Sequence, residues 1–259
     1  MTTPFFHRRL ANPERVALLQ SILDRVRAAA PSKGSSPRSG RTSVIVFDLD
    51  GTLMDNRPRV VAILHELARH WDARHPDAAA SCAKAEPEGI VYGFGENLRR
   101  LGVADPALHE EGFAFWKARF FADPHVKHDT EIRGAAAFAR ACHASGATVV
   151  YLTGRDLPNM ALGSFASLRD LGFPIGVIGT ELVVKPTFET PDAVFKRDVA
   201  PEVERLGELV ASFDNEPANC NAFREMNPDA EVVFVDTQHL PGAPPLEAHV
   251  HIIADFRMR

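Results

Sequence analysis

Two aspartates, Asp48 and Asp50, stand two residues apart at the end of the apolar run Val44-Ile45-Val46-Phe47 and are followed by Gly51-Thr52-Leu53. Side chains at i and i+2 of extended backbone share a side, so both carboxylates face one crevice where the run ends as a strand. Two acids this close need a cation between them or one raised pKa, and either serves catalysis. Gly51 lets the chain turn away. Farther on, Ala147-Thr148-Val149-Val150-Tyr151-Leu152 runs into Thr153-Gly154-Arg155. A hydroxyl, a glycine amide and a guanidinium at one strand end make a cradle for an oxyanion, because each donates hydrogen bonds to it. A third apolar run, Leu209-Val210-Ala211-Ser212-Phe213, ends in Asp214-Asn215-Glu216-Pro217. Asp214 and Asn215 there are caps of the helix that Pro217 opens, or further polar groups of the same crevice.

Those groups converge only if their strands lie side by side and parallel. The pattern around them supplies the rest of such a fold. Pro58 opens a helical pattern with Val60, Ile63, Leu64, Leu67 and Trp71 on one side. Further helices are expected near 77–85, 95–101 and 106–121, and strand signals are sparse from 57 to 128. After that come a helix from 131 to 146, another over 158–171, a short Val177-Ile178 strand, and a strand at Leu182-Val183-Val184. Glu231 to Asp236 reads as a strand, and His249 to Ile253 alternates like an edge strand. Strands alternating with helices, interrupted by one helical insertion after the first strand, predict an α/β fold with a doubly wound parallel sheet. Ligands of such sheets bind beyond the strands' carboxyl ends, where Asp48, Asp50, Thr153 and Asp214 fall.

The division that follows is a core over 42–56 and 129–259, a helical segment over 57–128, and an N-terminal part over 1–41. In that last part Val16, Leu19, Ile22, Leu23 and Val26 predict a helix to about residue 30, packed on its own chain, before a Pro/Gly/Ser linker over 31–40. Phe113, Phe115, Trp116, Phe120 and Phe121 crowd the last helix of the inserted segment and read as its core, with an aromatic face for a planar ligand as the alternative.

Composition bounds the function. The chain has 259 residues, 45% of them hydrophobic, enough for one sizeable core and an insertion. A net charge of -5 provides no broad basic field, which disfavours a nucleic-acid polymer or an anionic membrane as partner. Cys82, Cys142 and Cys220 are isolated, as expected of a chain in a reducing cytoplasm. No apolar run reaches the length of a membrane span.

Phe47-Asp48-Leu49-Asp50-Gly51-Thr52-Leu53 resembles the first motif of the haloacid dehalogenase (HAD) superfamily, most of whose members are magnesium-dependent phosphatases. The resemblance implies a Rossmann-like core with a helical cap, Asp48 as nucleophile and Asp50 as general acid/base. Thr153-Gly154 resembles the second motif, with Thr153 on the transferring phosphoryl group. Arg155 resembles the arginine of some subgroups, including polynucleotide-end phosphatases and certain acid phosphatases. The third motif is a lysine, and two fit: Lys185-Pro186, 29 residues before Asp214, and Lys196, 18 before it. Subgroups that share the arginine tend to the shorter gap, which favours Lys196. Asp214 resembles the fourth motif, which implies Mg2+ held by Asp48, Asp214, the Asp50 carbonyl and Asn215, directly or through water. Where the family often has a second acid, this chain has Asn215, Glu216 and Asn219. The expected activity is hydrolysis of a small phosphomonoester through an aspartyl-phosphate. A phosphomutase, a polynucleotide-end phosphatase and a non-catalytic binding module are the alternatives.

Overall fold

The structure is a computed structural model that describes residues 8–29, 42–203 and 205–259. The linker expected over 31–40 lies outside them. Helix α1 (Asn12–Ala29) lays Leu19, Ile22, Leu23 and Val26 into the main core, so it packs on its own chain as its spacing predicts. Buried Arg15 anchors it, pairing with Asp255 at 2.9 Å and donating to the Arg257 carbonyl at 3.1 Å.

Strand β1 (Ser43–Phe47) is buried throughout. Val44 and Val46 point to one core cluster and Ile45 and Phe47 to another, as a strand covered on both faces requires. After the turn at Gly51 comes β2 (Met54–Asp55), then α2 (Arg57–Trp71), α3 (Pro76–Cys82), a 3-10 turn at Pro87–Gly89, α4 (Phe94–Arg100), α5 (Pro106–Phe120) and α6 (Asp123–Val126). Helices α2 to α5 bury a cluster of their own, with Leu64, Leu67, Trp71, Cys82 and Leu98 fully enclosed. β3 (Thr130–Glu131) returns antiparallel to β2, pairing Met54 with Glu131 and Asp55 with Thr130. The two crossings into the helical segment are thus tied together.

The core resumes with α7 (Ala135–Ala144), β4 (Thr148–Asp156), α8 (Leu157–Asp170), β5 (Thr180–Lys185), α9 (Asp192–Val203), β6 (Glu208–Asp214), α10 (Pro217–Met226), β7 (Glu231–Val235) and β8 (His251–Ile253). Six strands lie in the order β5-β4-β1-β6-β7-β8, and every pairing among them is parallel. α1 and α7 cover one face, α9 and α10 the other. This is the expected doubly wound sheet. From β1 the chain moves outward to β4 and β5, then crosses back to β6 on β1's other side, which opens a crevice at the carboxyl end of β1.

Three local expectations differ. Val177 and Ile178 form no strand; they sit in a turn between Gly176 (φ 71) and Gly179 (φ 82), 52% and 99% exposed. The helix expected from residue 131 starts at Ala135, because Glu131 is taken by β3 and Gly134 turns the chain at φ 83. β4 does not end at Thr153 but continues to Asp156, whose carboxylate caps α8 by accepting from the Asn159 N–H at 3.1 Å.

Candidate active site

A cavity of about 910 Å³ opens at the carboxyl ends of β4, β1 and β6, with the inserted helices on its other side. Asp48, Asp50, Thr153, Gly154, Arg155, Lys196 and Asn215 all line it. The backbone places them. Asp48 is fixed directly after β1 by its N–H donating to the Phe213 carbonyl of β6 at 3.0 Å. Gly51 is needed at the turn, since its φ is 77 and a Cβ there would overlap the Asn215 amide.

Lys196, in the second turn of α9, is the centre of the floor. Its Nζ donates to Asp48 Oδ1 and Asp214 Oδ2, each at 2.7 Å, with all three residues buried. Asp214 further accepts from the Glu216 N–H at 2.8 Å and from Asn219 Nδ2 at 3.1 and 3.2 Å. Burial pushes the Asp48 carboxyl up to about 7, Lys196 opposing the rise and Asp214 adding to it. Lys196 is raised as well, but for another reason: burial would lower it, and Asp214 and Asp48 together hold its ammonium well above the usual lysine range.

Asp50 has different company. Arg155 donates from Nε to Oδ2 at 2.7 Å and from Nη2 to Oδ1 at 2.9 Å, and Arg59 Nη2 adds a bond to Oδ1 at 2.7 Å. Asn56 Nδ2 reaches the same oxygen at 3.3 Å. Both guanidiniums also hold Asp129: Arg155 Nη2 at 2.7 Å, and Arg59 through Nε at 2.7 Å and through Nη2. Burial alone would raise the Asp50 carboxyl, yet Arg155 and Arg59 hold it far below the usual carboxylate range.

Arg155, expected to cradle an oxyanion together with Thr153 and Gly154, is therefore engaged with two carboxylates of its own chain. Thr153 is buried at the cavity floor, its hydroxyl accepting from the Arg155 N–H at 3.3 Å. A Cβ at Gly154 would overlap the Asp192 carboxylate at the start of α9, so glycine lets β4 and α9 approach. Lys185 is not brought to the cavity floor. Its Nζ donates to the Phe188 and Thr190 carbonyls at 3.2 and 2.8 Å and to Asp192 at 2.7 Å, stitching the loop before α9. Of the two lysines, Lys196 is the one in contact with Asp48 and Asp214. The Asn215 amide accepts from Thr52 Oγ1 at 3.3 Å and donates to the Gln238 carbonyl, which holds the β6 turn against the β1 turn.

Sequence reasoning missed Arg59 and Asp129. The one signal for Arg59 is its place on the apolar side of α2, four residues before Ile63; Asp129 had only its position where the inserted segment returns.

The family model of haloacid dehalogenase-like hydrolases matches residues 42–205, more than half of the chain. The chain belongs to this family. No curated protein matches it in sequence. Among solved structures it is similar to a candidate phosphatase from Clostridium difficile, at 12% identity and a TM-score of 0.53, over 84% of this chain and 96% of that one. It is also similar to Protein Tyrosine Kinase A of Mycobacterium tuberculosis, at 17% identity and a TM-score of 0.51, over 83% and 95% of the two chains. At such identities these likenesses concern the fold alone.

Proposed function

We propose that this HAD-like hydrolase is a Mg2+-dependent phosphatase that hydrolyses a small phosphomonoester through an aspartyl-phosphate on Asp48. The observation that carries this is the meeting of Asp48 and Asp214 on the Lys196 ammonium, with Asp48 and Lys196 lining the cavity that Thr153 also lines. One ammonium cannot neutralise two buried carboxylates and an incoming phosphate, so the donor set asks for a further cation. Among the described residues no cluster of three or more Asp, Glu, His or Cys gathers. Two carboxylates with neutral oxygens around them suit a hard ion that keeps waters and shares the substrate's phosphate. Asp48, Asp214 and the Asp50 carbonyl would hold Mg2+, with Asn215 acting through water. Bound there, the ion would offset the repulsion between the Asp48 carboxylate and the phosphate.

The chain's own groups do the rest. Lys196 steadies the Asp48 carboxylate and, with the Thr153 hydroxyl, spreads the phosphoryl charge as Asp48 attacks phosphorus in line. Asp50 protonates the departing oxygen and later takes a proton from the water that hydrolyses the intermediate. Its two arginines favour the anion, which suits the second half of the cycle. The first half then runs best with leaving groups that depart as stable anions. The inserted helices act as a cap that closes the cavity against bulk water.

The test measures phosphate release from 4-nitrophenyl phosphate, with no second substrate present, by the wild type and by Asp48→Asn. The wild type should turn over with Mg2+, stop with chelator and recover on re-addition, while the variant loses roughly three orders of magnitude or more with its fold intact. Substantial turnover by Asp48→Asn, with deamidation excluded by mass spectrometry, overturns the assignment. Release of 4-nitrophenol without inorganic phosphate, and only when an acceptor sugar is added, means that the phosphoryl group passes to the sugar hydroxyl and identifies a phosphomutase instead. Arg155 is held by Asp50 and Asp129, so no observation here favours a polynucleotide end.

A further inference from the structure

Opposite the carboxylate floor, the cavity wall is aromatic. Tyr92, Phe94, Trp116, Phe120 and Phe121, all from the inserted segment, line the same cavity as Asp48 and Lys196. Four of them form one array. Phe94 stacks on Trp116 at 5.3 Å and 15°, Trp116 meets Phe120 at 4.9 Å and Phe121 at 5.6 Å, and Phe120 and Phe121 meet edge to face at 5.0 Å.

Stability alone does not account for this wall. Trp71, at the end of α2 where it packs on α5, is what a structural tryptophan of this segment looks like: fully buried, with its Nε1 donating to Glu111 of α5 at 3.0 Å. Trp116 is only half-buried, and its Nε1 is enclosed without a hydrogen-bond partner among the described residues. Phe120 and Phe121 are likewise half-buried, and Tyr92 is 48% exposed. A cap that had only to exclude water could do so with aliphatic side chains. This one presents ring faces and edges to the space above the reacting carboxylate.

We infer that the phosphomonoester taken by this site carries a planar aromatic ring in its leaving group, held against the wall of Tyr92, Trp116 and Phe121 while the phosphate sits on the floor. This rests on the phosphatase assignment above. The volume leaves room for it: about 910 Å³ is at the upper end of what small-molecule sites enclose, well beyond the needs of a bare phosphate. The ring can be borne directly on a short aryl or arylalkyl alcohol or, at the far side of a sugar, as a nucleobase. Both present the same chemistry to the wall.

The experiment uses esters whose alcohols leave equally well, so that only the ring differs. For 2-phenylethyl phosphate against 2-cyclohexylethyl phosphate, kcat/KM should favour the aromatic ester about two- to tenfold, the difference lying in KM. In Tyr92→Leu and in Trp116→Leu that ratio should fall toward one, and Tyr92, being half-exposed, keeps the test open if Trp116→Leu does not fold. Adenosine 5′-monophosphate against ribose 5-phosphate forms the second arm and separates a nucleobase from a directly borne ring. Catalysis-independent binding of the phenyl and cyclohexyl esters to Asp48→Asn, by titration calorimetry, should show the same preference. Equal efficiency with aromatic and saturated partners in both arms, or ratios unmoved in both variants, overturns the inference while leaving the phosphatase standing. No phosphate release by the wild type from any ester, with the preference still present in Asp48→Asn binding, overturns the phosphatase and leaves aromatic recognition standing.

Discussion

A buried lysine between two carboxylates has a role that its partners define. Lys196 touches Asp48 and Asp214, whereas Lys185 touches two loop carbonyls and Asp192. Replacing each with alanine should therefore separate chemistry from structure. Lys196→Ala should lower kcat/KM by about a hundredfold or more, because the phosphoryl charge loses its fixed counter-charge. Lys185→Ala should cost about 1–3 kcal/mol of stability by leaving acceptors unpaired, with turnover changed far less. Urea unfolding and steady-state kinetics on both variants check this; the reverse pattern would place the catalytic lysine at 185. Asp50 supports a second expectation. Held as an anion by Arg155 and Arg59, it delivers a proton reluctantly, so rates on a series of substituted phenyl phosphates should fall steeply as the phenol becomes less acidic. A flat series would mean that Asp50 protonates the leaving oxygen fully despite its arginines.

At the scale of elements, the two ends of the inserted segment are locked to the core by one ion cluster. Arg59 comes from the first turn of α2, Asp129 from the return just before β3, and Arg155 from β4. Arg59, Asp129 and Arg155 are all fully enclosed or nearly so. Removing Asp129 would leave two buried guanidiniums short of a partner, and breaking such a pair costs about 3–5 kcal/mol. Asp129→Ala should lose that much stability in urea unfolding; a loss near zero would mean that water reaches the arginines. Arg155 stood out in the sequence as an oxyanion donor, but its partners Arg59 and Asp129 did not, because an arginine among apolar residues and an aspartate in a loop look like ordinary solvated groups. What was legible had a period or a boundary. The buried runs ending in Asp48, Thr153 and Asp214 showed as strands because β-branched and aromatic residues stop abruptly at polar ones, and α1 showed through its three- and four-residue spacing. Val177-Ile178 deceived because β-branching signals a strand only where the flanking backbone stays extended, and Gly176 and Gly179 turn it instead. The choice between two lysines rested on chain separation, which says little about distance in space. Of the aromatics of α5, Phe115, Trp116 and Phe120 pack on the cluster of the inserted segment as expected, and Trp116 and Phe120 also line the cavity, whereas Phe113 is exposed.

For the whole molecule, the sheet order decides where two bodies of side chains face each other. The strand leaving β1 leads into the inserted helices, and the crossover from β5 to β6 opens the crevice beneath them. Floor and aromatic wall line one cavity, so a ligand that spans it would tie the inserted segment to the core in the folded state only. Any molecule that binds the native form alone stabilises it by mass action, by about 2.7 kcal/mol at a hundred times its Kd. For a chain of this size each kcal/mol raises Tm by about 2–4 °C, so a saturating ligand should shift the transition by roughly 5–10 °C. Inorganic phosphate and Mg2+ are the simplest probes, and the floor predicts how they combine. Phosphate alone would meet the Asp48 and Asp214 carboxylates with Lys196 alone, among the described residues, paired to them, and Mg2+ alone would share those carboxylates with the ammonium. Added together, each supplies the charge that the other lacks, so the joint Tm shift in scanning calorimetry should exceed the sum of the two separate shifts. Lys196→Ala should weaken the response to phosphate alone most, because without Mg2+ the lysine is the cation that offsets Asp48 and Asp214. Strictly additive shifts, or no response to phosphate at any Mg2+ concentration, would mean that the two ligands do not meet over Asp48.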